Sequence, residues 1–242
     1  TIISKLSTLG DVVGNQIDAR RVDVEEIQHS LPQFNLNVRA GSQNLLSEYL
    51  AASDQRFERL SLMASNDSMI SISGKVLSYS MGTTAIDTIN FEAHQYDKIL
   101  MYDASIGNRP GTLDEFARVT IDGYVADDLV STHVQQHNIK GEAGYNIGAL
   151  AQMGDSIVRF ELFPETPMIA YKEWDINDEN FIEYNMFTHH VDADVEMKNA
   201  SSSVNIYTEH KDSLHGQQED LILKIKDLKL VELVAINPYA PP

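Results

Sequence analysis

His133 and His137 stand four residues apart in the run His133-Val134-Gln135-Gln136-His137. On a helix that spacing puts both imidazoles on one side, where they could share a metal ion. Asp128, five residues earlier, could add a carboxylate. A zinc-hydrolase helix also needs a glutamate directly after the first histidine, to work on the metal-bound water. That position holds Val134. A metal-dependent hydrolase built on a histidine–carboxylate site is therefore an alternative reading that lacks its general base.

A second cluster lies in His189-His190-Val191-Asp192-Ala193-Asp194-Val195-Glu196-Met197. Its period of two predicts a strand with Val191, Ala193, Val195 and Met197 on the core side. His190, Asp192, Asp194 and Glu196 then line the other face. Side chains two apart on a strand lie roughly 7 Å apart, so neighbours could share a cation. The row otherwise needs a cross-strand Lys or Arg, or exposure to water, to relieve its repulsion. Trp174-Asp175-Ile176-Asn177-Asp178-Glu179-Asn180 resembles the start of a calcium loop in its ligand types alone. Asn180 stands where an EF-hand needs glycine, and Met186 where it needs glutamate.

Other motifs are incomplete. Gly141-Glu142-Ala143-Gly144-Tyr145-Asn146-Ile147-Gly148 has no following Lys-Ser/Thr and is no phosphate loop. No serine sits in a Gly-x-Ser-x-Gly elbow. Thr1 brings a hydroxyl and an amine together, as N-terminal threonine nucleophiles do, but only Lys5 is near in sequence. Asn66-Asp67-Ser68 and Asn199-Ala200-Ser201 match glycosylation acceptors, with chance as the preferred explanation. The absence of cysteine excludes disulfides, thiolate zinc sites, iron–sulfur clusters and a cysteine nucleophile. No cofactor is expected beyond a divalent cation such as calcium or zinc.

The elements that must carry these residues divide near Ser65–Asn66. Residues 1–65 are expected to form a helical arm or hairpin. Its stripe is Ile3, Leu6, Val13, Ile17, Val24, Ile27, Leu31 and Phe34, with gaps of three and four. Gly10, Gly14 and Arg20 interrupt it, so a short helix followed by a stronger one over Gln16–Ser30 is predicted, stopped by Pro32. A loop over Gln33–Gly41 and a second helix over Asn44–Ala64 follow. From residue 66 the period changes to two, and nine or ten short strands fill 66–236. The fold class is thus mainly β (α+β): an antiparallel β-sandwich or barrel-like domain preceded by an N-terminal helical segment. Residues 237–242, Asn-Pro-Tyr-Ala-Pro-Pro, form an extended tail in which Tyr239 could anchor on a neighbour.

Charge narrows the classes of partner. The 242-residue chain has 18 Lys+Arg against 36 Asp+Glu, a formal net charge of −18. Residues 66–242 hold twelve basic and twenty-eight acidic side chains, a net of −16. Such a chain is a poor ligand for nucleic acid or an anionic membrane surface. No run of eighteen apolar residues predicts a membrane helix. The leading expectation is a non-enzymatic structural or interaction subunit of a homo-oligomeric assembly, soluble, and either extracellular or a virion (capsid) component. A secreted β-sandwich binding calcium or a glycan is the other alternative. The interface is expected at the N-terminal stripe and Tyr239, with other copies or other assembly proteins as partners. That expectation predicts a solution mass well above the 27.1 kDa chain, reduced by deletion of residues 1–34. Light scattering coupled to size exclusion measures both.

Overall fold

The computed structural model describes residues 2–82, 84–108, 116–213 and 216–228. The described residues are mostly β, with three helices and extensive antiparallel sheet. It divides into two compact units, Thr1–Asp128 with Gln136–Gly141, and Leu129–Gln135 with Glu142–Pro242.

The first unit opens with helices α1 (Ile2–Ala19) and α2 (Val24–Ser30). The predicted helix across Gln16–Ser30 is interrupted: Arg20 takes a positive φ of 55°, and Asp23 restarts the helix by accepting a hydrogen bond from the Glu26 N–H. Gly10 and Gly14 do not break α1; a glycine costs a helix only about 1 kcal/mol, which eighteen residues can absorb. Gln16 locks the corner. Its side chain accepts from the Asp23 N–H at 2.9 Å and donates to the Asp23 carbonyl at 3.1 Å. The Val22 N–H then donates to the Asp127 carbonyl at 2.7 Å, tying the corner to the sheet.

The remaining elements of this unit are β1 (Asn35–Gly41), α3 (Leu45–Ala51), β2 (Gln55–Arg56), β3 (Arg59–Asn66), β4 (Ile70–Met81), β5 (Thr84–Tyr96), β6 (Ile99–Gly107) and β7 (Phe116–Ala126). The predicted helix over Asn44–Ala64 is cut to α3, and the predicted loop before it is a strand. Asn44 caps α3 in a reciprocal capping box with Ser47. Asp54 at φ 55° then turns the chain. Leu60 and Ala64 fit a helical spacing with Leu46, Leu50 and Phe57, but together with Leu62 they also alternate with Ser61, Met63 and Ser65. Once β1 and β4 offer paired edges, the period of two prevails. The order β1-β3-β4-β5-β6-β7 is antiparallel throughout, with β2 beside the end of β4.

β8 (Leu129–Asn138) contributes to both units. The second contains β9 (Ala143–Met153), β10 (Ile157–Ile169), β11 (Lys172–Glu173), β12 (Asp175–Ile176), β13 (Phe181–Asn185), β14 (Val191–Lys198), β15 (Ser203–Ser213) and β16 (Gly216–Lys226). They run β9-β10-β13-β14-β15-β16, with β11 on β10 and β12 on β14. Most of the glycine-rich stretch Gly141–Gly148 lies in β9.

Among the described residues the buried apolar side chains are few: Val24, Phe57, Pro167, Trp174, Ile176, Ala193 and Val195. Side-chain amides therefore carry much of the fixing. Asn66, 1% exposed, donates to the carbonyls of Gln28, Leu31 and Pro32 and accepts from the Gln28 amide at 3.1 Å. It ties the end of α2 to β3, and leaves no accessible amide for a glycan. Asn66→Ala leaves these buried groups unpaired and is expected to lower unfolding free energy by about 1–3 kcal/mol. Asn66→Asp, which cannot donate to three carbonyls, is expected to cost at least as much; the urea midpoint reads both.

Candidate functional site

The register of the first unit sorts its side chains into two chemically distinct faces. Directly opposed residues in an antiparallel pair project to the same side. Reading across β1, β3, β4, β5, β6 and β7 gives Leu36–Ala64–Ile72–Ala93–Tyr102–Gly123. The next row is Val38–Leu62–Gly74–Phe91–Ala104–Ile121, and the third is Ala40–Leu60–Val76–Ile89–Ile106–Val119. Three rows cross six strands without one charged side chain. At about 4.8 Å per strand each row extends about 24 Å.

No second layer buries this face among the described residues. Leu36 is 44% exposed, Phe91 39%, Ile106 38% and Ile121 39%; most other members are half-buried. Its relief comes from the alternation of bulky and small residues along the rows. At Gly74 a Cβ would collide with the Phe91 ring, so the ring lies across the strand in the space that glycine leaves. The opposite face is polar. It carries Arg39, Ser61, Lys75, Asn90, Ser105 and Thr120 in one row, and Asn37, Met63, Ser73, Glu92, Asp103 and Asp122 in the next.

The second unit repeats this sidedness. Ala151, Phe160, Ile182 and Ala193 stand opposite one another in turn across β9, β10, β13 and β14, and Val195, Ile206 and Leu223 across β14, β15 and β16. Ile176 joins the face opposite Met197, and it, Trp174, Ala193 and Val195 are buried. Away from them the face is open: Phe160, Leu221, Leu223 and Ile225 are between 41% and 59% exposed.

The residues singled out for chemistry are held in sheet. His133 and His137 lie on β8, a strand, where four residues span about 13 Å rather than one helical turn. The helical spacing that would let them share an ion is therefore not formed. His133 Nε2 instead lies 2.6 Å from the Asn146 side-chain oxygen, with its ring centroid 5.7 Å from that of Phe163. Asp128 follows Asp127, whose φ of 50° makes the turn from β7 to β8. His190 precedes β14 and accepts the Asn185 N–H through its carbonyl. Asp192 stands opposite Glu183, and Asp194 is exposed opposite Phe181. Two strands from this row, Arg159 stands opposite Glu183, which itself stands opposite Asp192. Arg159 donates to Glu161 and to Glu183, each at 2.6 Å. The Glu161 hydrogen bond is the main cause that raises the Arg159 pKa above its usual value; burial opposes it and Glu183 adds to it. Among the described residues no three His, Asp or Glu side chains converge as a metal site.

The acidic loop is a structural pin. Asn177 donates to the Asp194 carbonyl at 3.2 Å and accepts from the Glu196 N–H at 2.8 Å. Asn180 accepts from the Leu162 N–H at 2.7 Å and donates to its carbonyl at 3.0 Å. Of the N-terminal stripe, Val24 is enclosed by its own chain, 1% exposed, while Val13, Ile27 and Leu31 are half-buried. Ile3, Leu6 and Ile17 lie in α1. Thr1 and Tyr239 are outside the described residues.

One constellation was not legible in the sequence. His94 Nδ1 lies 3.1 Å from Ser71 Oγ, and its Nε2 lies 3.4 Å from Glu92. The types are those of a serine–histidine–acid relay, but all three project from the polar side of a flat sheet. The neighbouring backbone N–H groups lie in the sheet plane, engaged with adjacent strands, and offer no donor pair to a developing oxyanion. The signal that finds this group is register: Ser71 and His94 are directly opposed.

The chain matches no family model, no curated protein and no solved structure. Its own geometry singles out the uncovered apolar face. Gly74→Ala is expected to destabilise the first unit by about 1–3 kcal/mol through overpacking against Phe91. Most of that cost should vanish in a Phe91→Ala background, because the two sites share one volume. A double-mutant cycle of denaturant midpoints measures the coupling.

Proposed function

We propose that the chain is a non-enzymatic binding protein that holds hydrocarbon chains, such as the acyl tails of a lipid, along the apolar sheet face of its first unit. The observation that carries this reading is the three unbroken rows over six strands, with Phe91 and Ile121 at 39% exposure on the middle one. Water on such a face is unfavourable, and each methylene laid against it contributes about 0.8 kcal/mol. The Tyr102 hydroxyl is the one side-chain hydrogen-bonding group in the three rows. A protein partner is normally oriented by about one hydrogen bond per 100–200 Å² of interface. A flexible hydrocarbon needs none, and the alternation of Ala and Gly with Leu, Ile and Phe gives it troughs to follow.

The same face supports a second reading closer to the assembly expected from the sequence. Two copies could lay their apolar faces together, closing the sheets into the sandwich that the strand pattern suggests. The polar opposite face, rich in carboxylates, would keep either form in solution.

A fluorescent fatty acid and a short-chain phosphatidylcholine below its micellar concentration separate the readings. Saturable binding of both by a monomer is the expected result. Phe91→Asp and Ile121→Asp should each weaken it by about tenfold or more, since either places a charge under the hydrocarbon. Because both side chains are substantially exposed, the variants should fold, which circular dichroism checks. A dimer that dissociates in Phe91→Asp and takes up neither probe would replace this reading with the second.

A further inference from the structure

We infer that the outer edge of β1 is a docking site for an extended, acidic segment of a partner protein, which adds to the sheet as one more strand. β1 pairs only with β3 among the described strands, so one of its edges is open. The Asn66 N–H donates to the Phe34 carbonyl at 3.0 Å, which fixes the phase of the ladder. Hydrogen-bonded pairs alternate along an antiparallel ladder, so Leu36, Val38 and Ala40 turn their backbone groups to β3. Asn35, Asn37 and Arg39 then direct N–H and C=O outward. The Gly41 carbonyl already accepts from the Asn44 side chain, which closes the edge at that end.

The side chains beside this edge select the occupant. Arg39 stands opposite Ser61, which in turn stands opposite Lys75, and Arg59 is opposite Gly41. At this corner Arg39 and Arg59 line one open cleft with Gly41, Ser61 and Met63. Gly41 has no Cβ, and the space beside it is empty. No carboxylate pairs with Arg39, Arg59 or Lys75 among the described residues, although the chain carries a net charge of −18. A strand laid on β1 would place alternate side chains beside Leu36 and Val38 on one face, and beside Asn37 and Arg39 on the other. The matching segment alternates apolar and acidic residues. This chain has such a run, Val191–Glu196, but it is already paired on both sides by β13 and β15. That run is therefore not the occupant.

The competing role for Arg39 is protection, since a charge on an edge strand deters unwanted pairing. The experiment uses the full chain and a labelled short peptide alternating valine and glutamate, with a valine–lysine peptide as control. Fluorescence anisotropy is expected to show the acidic peptide binding about tenfold or more tighter, with the difference shrinking as salt rises. Asn37→Pro removes one outward N–H and no β1–β3 bond, and should abolish binding; Asn37→Ala, which keeps that N–H, should not. Arg39→Glu with Arg59→Glu should also abolish it. Amide exchange should slow at Asn37 and Arg39 when the peptide is bound. Equal binding of the two peptides, binding that survives Asn37→Pro, or no binding would each overturn the proposal. So would an Arg39→Glu variant that aggregates yet binds the acidic peptide unchanged. Asn37, Arg39 and Arg59 lie off the three apolar rows, so these variants should leave hydrocarbon binding intact and the two proposals fail separately.

Discussion

In-register antiparallel pairing is the constraint on which the rest depends. A strand places its side chains alternately on two faces, so a slip of one residue exchanges the faces entirely. In β3, β4, β5 and β6 the apolar positions meet across every pair, from Leu62 and Gly74 to Phe91 and Ala104. Each cross-strand contact adds only a fraction of a kilocalorie. They all favour the same register, because any other would lay apolar rows against charged ones. Phe91 over Gly74 reinforces it at one point, and Phe163 over Gly148 does the same in the second unit.

A structure with so few fully buried apolar side chains must fix its corners otherwise. It does so with amides that satisfy backbone groups on two elements at once. Gln16 closes the α1–α2 corner, Asn66 ties α2 to β3, Asn177 holds the turn before β13 to β14, and Asn180 holds its far end to β10. Such groups are worth little when replaced together with their partners, and much when removed singly. The same logic pairs His133 with Asn146, and Arg159 with its two glutamates.

The two faces of the sheet divide the physical work. Carboxylates gather on the polar side, where Glu92, Asp103 and Asp122 stand side by side and water screens them. The apolar side is left with a surface that a soluble chain rarely exposes over such a length. That combination gives the binding proposal its weight: a charged back would favour solubility while the front would take hydrocarbon.

Much of the local structure is legible in the residues. The period of two in Val191–Met197 places Ala193 and Val195 inside and Asp194 and Glu196 outside, as found. Pro32 stops α2 as expected, whereas the Asp23 cap that starts it interrupts the single helix expected over Gln16–Ser30. What the sequence determines is which residues share a face, because alternation is a local property of the backbone. What it leaves open is which period prevails where two fit, and what covers the face. Leu60, Leu62 and Ala64 became a strand only because β1 and β4 lie beside them. His133 and His137 lost their helical spacing for the same reason, since strand pairing is settled between segments distant in the chain. That the apolar rows find no covering layer is likewise a tertiary fact, because hydrophobicity specifies burial without naming the partner that supplies it.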